Sequence, residues 1–358
     1  MNARFLRSSL ATLILVSICS GALGQGYAGL GSNSAGFATV ERGRHLDFPA
    51  DFGAHPDFRI EWWYMTANLK GVNGQSYGAQ WTLFRQAIDT GRERPGFNSQ
   101  QIWMGHVAVT SSTEHRFSEK FARGGIGQAG VRAAPFRAWI DDWSIGSSGD
   151  TLGARLERLD VSAYGPQFSY KLKLASDLPL VLHGEQGISQ KSHDGVASYY
   201  YSQPHYTVTG FLTLQGRQIA VTGQAWIDQE WTSQALSSSQ TGWDWFSLHL
   251  TGGQHLMLFR LRGDVDGSYA AGTWINADGT YEALSKDDIR LTPLANSTVD
   301  GHSVPTRWRM EVPSRGVSVE ASAINNGAWM ATSVPYWEGP IAVSGTHSGE
   351  GYLEMTGY

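Results

Sequence analysis

Aromatic rings stand beside carboxylates and amides at several points of this 358-residue chain, and it is there that chemistry is most legible. Glu61-Trp62-Trp63-Tyr64, Gln80-Trp81, Trp226-Ile227-Asp228-Gln229-Glu230-Trp231 and Trp243-Asp244-Trp245 are the densest cases. A ring next to a carboxylate on a β-strand is an odd choice for a plain core. It suits a pocket that holds a large apolar molecule and offers it a proton or a hydrogen bond. Trp63, Trp81, Trp226, Trp243 and Trp245 are candidates to touch such a ligand.

Strand alternation sorts these residues by face. Over Val221–Trp231 one face carries Thr222, Gln224, Trp226, Asp228 and Glu230. The other carries Val221, Ala225, Ile227, Gln229 and Trp231 and reads as a packing face. The first face fits either solvent or a wet barrel interior. In Tyr77–Arg85, Arg85 ends the row Tyr77, Ala79, Trp81 and Leu83. A guanidinium there needs a carboxylate, and Glu61 is the natural partner for a structural ion pair. Ser198-Tyr199-Tyr200-Tyr201-Ser202 puts Tyr199 and Tyr201 on one face and Tyr200 with both serines on the other, with His183, Ser189 and Lys191 upstream.

Other chemistries find little support. Ser189-Gln190-Lys191 imitates a Ser–Lys nucleophile pair, but no Gly-x-Ser-x-Gly elbow accompanies it. The histidines lack metal-ligand spacing, so no metal is expected. No Gly-rich phosphate loop opens a helix after a strand, and no cofactor is implied. The net charge of −5 carries no basic block, which sets nucleic acid aside.

The elements that must position these residues are short strands: Tyr77–Arg85, Trp103–Val109, Phe168–Leu174, Ser198–Ser202, Gln218–Asp228, Asp244–Leu250, His255–Leu261 and Trp308–Val312. Turns such as Asn73-Gly74 and Asp278-Gly279 separate them. The single helical stretch expected is a short one over Leu284–Ile289. Forty-three glycines and a charged fraction of 16% agree with an all-β chain of antiparallel barrels or sandwiches. The length fits two domains. The Ser/Gln-rich segment Ser233–Gly242 reads as their junction or as a long hairpin loop.

At the N-terminus, Arg4 and Arg7 precede the apolar run Leu10–Cys19 and the small residues Ala22-Leu23-Gly24. This is the pattern of a signal peptide over residues 1–24, and it implies a secreted or periplasmic protein. Residues 25–45 read as a flexible lead-in. Cleavage before Gln25 would remove the one cysteine, Cys19, and with it any disulfide or thiolate chemistry. No later apolar run is long enough to span a membrane stably as a helix. Oligomeric state is not legible.

Several of these segments, together with Phe52-Gly53-Ala54-His55-Pro56, Tyr336-Trp337-Glu338-Gly339 and the ending Gly351-Tyr352-Leu353-Glu354-Met355-Thr356-Gly357-Tyr358, closely resemble the AttH-like proteins, relatives of the carotenoid 1,2-hydratases. The resemblance runs from about residue 46 to the C-terminus. It implies two tandem lipocalin-like antiparallel β-barrels, residues 46–235 and 236–358, the first carrying the hydratase-related pocket. The chain departs from the family pattern at Gln229, where Arg is usual, and at Asn325-Asn326, where Gln-Glu is expected.

Carotenoid hydratases protonate a trisubstituted alkene and add water to the tertiary cation. What the resemblance implies is Asp228 as the acid, Trp226, Tyr199 and Tyr201 around the cation, and Glu230 or His183 positioning water. The rival expectation is a carrier for a lipid or isoprenoid, and a further one is a secreted hydrolase. Pairing of Asp228 with Arg85 or Lys191 would favour binding or structure. A dry aromatic setting would favour catalysis.

Overall fold

A computed structural model of the protein describes residues 34–91, 93–148, 156–263 and 268–358. The expected signal peptide lies outside the described residues. The first sheet comprises β1 (Ile60–Gly71), β2 (Ser76–Ala87), β3 (Gln101–Ser111), β4 (His115–Arg123), β5 (Ala129–Arg132), β6 (Arg137–Ile140), β7 (Trp143–Ser147), β8 (Arg158–Gly165), β9 (Phe168–Ala175), β10 (Val181–Leu182), β11 (Ile188–Gln190), β12 (Ala197–Leu214) and β13 (Arg217–Thr232). The second comprises β14 (Gln240–Leu250), β15 (His255–Gly263), β16 (Tyr269–Ile275), β17 (Tyr281–Leu284), β18 (Arg290–Val299), β19 (His302–Val312), β20 (Val317–Ala323), β21 (Trp329–Met330), β22 (Tyr336–Gly345) and β23 (Gly349–Met355).

Every pairing is antiparallel, and the order in the first sheet is β4-β3-β2-β1-β13-β12-β9-β8-β7-β6-β5, with β10 and β11 added to β12. In the second it is β17-β16-β15-β14-β23-β22-β20-β19-β18, with β21 on β22. Each sheet thus pairs its first long strand with its last and curls both arms round an apolar core. The architecture is all-β, two lipocalin-like near-barrels in tandem, and the described helical residues form only short 3-10 turns. The expected helix near Leu284–Ile289 shrinks to one such turn, Lys286–Asp288, capped by Ser285. The expected hairpin turns carry left-handed glycines, Gly74 at φ 76° and Gly279 at φ 86°.

Residues 34–45, read as a flexible lead-in, are fastened to the first barrel. The Glu41 N–H donates to the Tyr199 hydroxyl at 2.8 Å, the Ser233 hydroxyl donates to the Ala38 carbonyl, and Ala38 and Val40 pack on the core. Backbone and apolar contacts outweigh the Gly/Ser content here.

The interior of the first barrel is filled rather than hollow. Trp63, Trp81, Trp103, Trp231, Tyr199 and Tyr201 all belong to its packed core. One polar network crosses that core. Arg85 and Glu61 are fully buried, with Nε 3.1 Å from Oε2. Arg85 also donates to Gln101 Oε1 and to the His55 and Phe58 carbonyls. His55 Nδ1 lies 2.6 Å from Glu61 Oε1, and its ring stacks on Trp231 at 3.9 Å. Gln229 donates from Nε2 to Glu61 Oε1 at 2.9 Å. Burial alone would raise the Glu61 carboxyl, but His55 and Arg85 hold it below its ordinary 4.5.

An uncompensated buried charge costs far more than the pair contributes. Glu61→Gln is therefore expected to lower stability by about 3–5 kcal/mol in urea denaturation, with most of the loss recovered in Glu61→Gln/Arg85→Met. Because the folded carboxyl sits below 4.5, the wild-type contribution is complete above that pH and is lost as pH falls through the folded value. Wild-type stability should fall in acid, and that part of the fall should be absent in the double variant.

Candidate functional site between the barrels

The Trp226, Asp228 and Glu230 end of the polar face of β13 points neither to solvent nor into the first barrel, whereas Thr222 at its start is exposed. That end points at the second barrel, which corrects the expectation of a wet barrel interior. Strand alternation puts Trp231 and Gln229 inside, so Trp226, Asp228 and Glu230 must face outward, where β14 and β15 cover them. Register then builds the site. Asp228 lies between Tyr64 on β1 and Ser202 on β12, and Glu230 between Trp62 and Tyr200.

Several contacts hold the two barrels against each other. Asn68 Nδ2 donates to the Gly351 carbonyl at 2.8 Å, Trp245 Nε1 to the Tyr200 hydroxyl at 3.0 Å, and Asn325 Nδ2 to the Ser111 carbonyl at 3.0 Å. Tyr64 donates its hydroxyl proton to Glu338 Oε1 at 2.6 Å. Asn325, a departure from the family pattern, thus has a structural role here. At Gly78 the second barrel presses directly on β2. A Cβ there would lie 2.5 Å from the Tyr352 hydroxyl and 2.7 Å from the Pro340 ring.

The seam encloses a cavity. One wall is Trp62, Tyr64, Phe84, Tyr200 and Asp228 from the first barrel. The facing wall is Trp243, Trp245, Phe259, Leu261 and Glu354 from the second. Lys191 and Glu230 close one side. A second apolar cavity, lined by Ile102, Met104, Phe121 and Val334, shares Ile60, Phe84, Trp243 and Glu354 with the first.

Asp228 is 2% exposed. Its Oδ1 accepts from Trp226 Nε1 at 2.6 Å and from the Ser202 hydroxyl, and its Oδ2 accepts from the Tyr200 hydroxyl at 2.9 Å. Neither Arg85 nor Lys191 reaches it, since Arg85 pairs with Glu61 and Lys191 Nζ lies 2.8 Å from Glu230 Oε1. Burial pushes the Asp228 carboxyl up to about 7, against the pull of its three donors, and the neighbouring Glu230 charge adds to the rise. It therefore holds a proton in a substantial fraction of molecules at neutral pH.

His183 stands behind Asp228, away from the aromatic cavity. Its Nε2 is 2.6 Å from Ser202 Oγ and its Nδ1 is 2.8 Å from Thr273 Oγ1. Burial, assisted by the Lys191 charge, pushes it well below 6.5, so the ring is neutral. It reaches Asp228 through Ser202 and lines a separate cavity with Ser189, Tyr269 and Thr273. Glu230 lines the cavity but is held by Lys191 and by the Ser198 hydroxyl.

The aromatic candidates divide. Trp243 and Trp245 line the cavity. Trp226 is fully buried and supports Asp228 from the side. Tyr199, Tyr201, Trp63 and Trp81 lie on the opposite face of the sheet, inside the first barrel, and cannot surround a cation at Asp228. The rings that join Trp243 and Trp245 around the cavity are Trp62, Tyr64 and Tyr200 of the first barrel. Tyr200 was within reach, because it shares its face with Ser198 and Ser202, the polar side of the strand. Glu354 was missed altogether. It shares its strand and its face with Glu350, and no local pattern separates the two.

The sequence matches the AttH-like family over residues 39–358. The chain belongs to the AttH-like family. A crystal structure of an AttH-like protein from Nitrosomonas europaea superposes on this AttH-like chain with a TM-score of 0.79 at 32% identity, covering 90% of this chain and 99% of that one. Kievitone hydratase from Nectria haematococca gives 0.66 at 14% identity, covering 90% and 96%. CghA, solved with Sch210972, gives 0.52 at 10%, covering 84% and 88%. These last two show a shared fold. No curated protein sequence matches.

The seam depends on close approach at Gly78. Gly78→Ala is expected to lower the urea midpoint by the equivalent of about 1–3 kcal/mol through overpacking. Hydrogen exchange should show the loss as deprotection of β2 and β22, where Pro340 sits, with β18 and β19 unchanged.

Proposed function

We propose that this AttH-like protein adds water to an alkene of an apolar, isoprenoid-type ligand by acid catalysis, with Asp228 as the acid. The observation that carries this reading is the state of Asp228, which is buried, outside any ion pair among the described residues, raised to about 7 and set in the wall of an aromatic cavity. A carboxylic acid that keeps its proton near neutral pH is what alkene protonation needs. A salt-bridged carboxylate would be a poor acid. The proton moves from Asp228 to the less substituted alkene carbon, leaving a tertiary cation and an aspartate. Trp62, Tyr64, Tyr200, Trp243 and Trp245 line the cavity in which that cation forms, and each ring face turned to it contributes about 0.5–2 kcal/mol. Water then bonds to the cationic carbon and gives up a proton.

A hydratase among proteins of the same fold supports the reaction class, and the basic-then-apolar N-terminus supports placing the protein in a secreted or periplasmic compartment. The test is mass spectrometry of the apolar molecules that co-purify with wild type and with Asp228→Asn. A hydroxylated ligand in wild type and its parent alkene in the variant is the expected pair. The same unmodified lipid in both would make the protein a carrier and remove the catalytic role of Asp228.

A further inference from the structure

Water that attacks the cation must lose a proton, and the nearest candidates on the Asp228 side are unsuited to take it. Glu230 is committed to Lys191 and Ser198, and His183 lies behind Ser202. The facing wall offers another group. Glu354 stands on β23 beside Trp245 of β14, and Trp243 Nε1 donates to its Oε1 at 2.6 Å. Among the described residues it makes no ion pair. It lines the cavity that holds Asp228 and also the adjoining apolar cavity, so it sits where the two meet.

Its cross-strand partner is another acid, Glu338, which is buried and bonded by Tyr64. Two carboxylates directly opposite in a sheet repel, so the pair resists a double negative charge. Burial and the Glu354 charge push Glu338 well above the ordinary range, which makes Glu338 the member that stays protonated. Burial pushes Glu354 up to about 7, moderated by the bond from Trp243, leaving it free to exchange a proton near neutrality.

We infer that Glu354 is the general base of the site, taking the proton of the attacking water from the wall opposite Asp228. This rests on the hydration reading above. The step balances. Asp228 gives a proton to carbon, water oxygen bonds to the tertiary cation, and the carboxylate of Glu354 takes the water proton. Glu354 then releases a proton to solvent and Asp228 gains one. Acid and base belong to different barrels, so proton and hydroxyl add from opposite sides of the double bond.

Two readouts test this. In the first, geranylacetone, which carries a terminal trisubstituted alkene, is the substrate. Wild type should show a bell-shaped pH–rate profile. Glu354→Gln should lower kcat by about a hundredfold or more with KM little changed, and should lose the limb on the acid side. Trp243→Phe, which removes the donor to Glu354 and keeps an aromatic ring, should move that limb to higher pH. In the second, binding of trimethylhexylammonium, a permanent cation, is titrated calorimetrically. Wild type should bind more tightly as pH rises from about 5 to about 8, with Glu354→Gln and Asp228→Asn each removing part of that rise. A Glu354→Gln variant with the wild-type pH–rate profile or with the wild-type ammonium titration overturns the assignment of Glu354. Hydration retained in Asp228→Asn, or absent from wild type, instead overturns the hydration reading, and the ammonium titration then still decides whether Glu354 faces the cation position.

Discussion

The pairing of β1 with β13 is the constraint on which the rest depends. These two strands, the first and the last of the first sheet along the chain, meet in its middle, and their register sets Glu61 opposite Trp231 and Tyr64 opposite Asp228. One face of the same pair carries Glu61 of the buried ion pair, and the other carries Asp228 of the seam. A shift of one residue would exchange the two faces. Gln229 on β13, which donates to Glu61 Oε1 on β1, opposes such a slip from inside the barrel, and Arg85 holds that Glu61 carboxylate in place. The core network therefore serves the site without touching it.

Environment gives four carboxyls of similar intrinsic chemistry different tasks. Glu61 is matched with Arg85 and His55 and is held below the ordinary range. Glu230 is matched with Lys191. Asp228 and Glu354 have hydrogen-bond donors but, among the described residues, no cation, and burial dominates in both. Donors fix the orientation of a carboxyl without compensating its charge fully. That combination leaves a buried acid that is rigid and still able to change protonation state.

Much of the fold was legible in the sequence, because strand alternation and glycine turns are local signals. The faces of Tyr77–Arg85, Val221–Trp231 and Ser198–Ser202 follow directly from a period of two, and so does the need of Arg85 for a carboxylate. The site was only half legible, because it lies between two barrels and alternation does not say what each face meets. The resemblance to the hydratases implies Tyr199 and Tyr201 around the cation, yet pairing of β12 with β13 sends them inside and brings Tyr200 to the acid. Glu354 lies far from Asp228 in sequence and meets the cavity only because β23 pairs with β14. Contacts of that kind are set by docking of the sheets, and no window of sequence contains them.

Alkene protonation at this site requires a protonated Asp228 in the folded protein near neutral pH. The direct measurement is infrared spectroscopy of the carboxyl stretch through a pH titration, wild type minus Asp228→Asn. A protonated-carboxyl band that is present in wild type, disappears with a midpoint near 7 and is missing from the variant is the predicted result. A difference spectrum in which Asp228 is already ionised well below that pH would contradict the account.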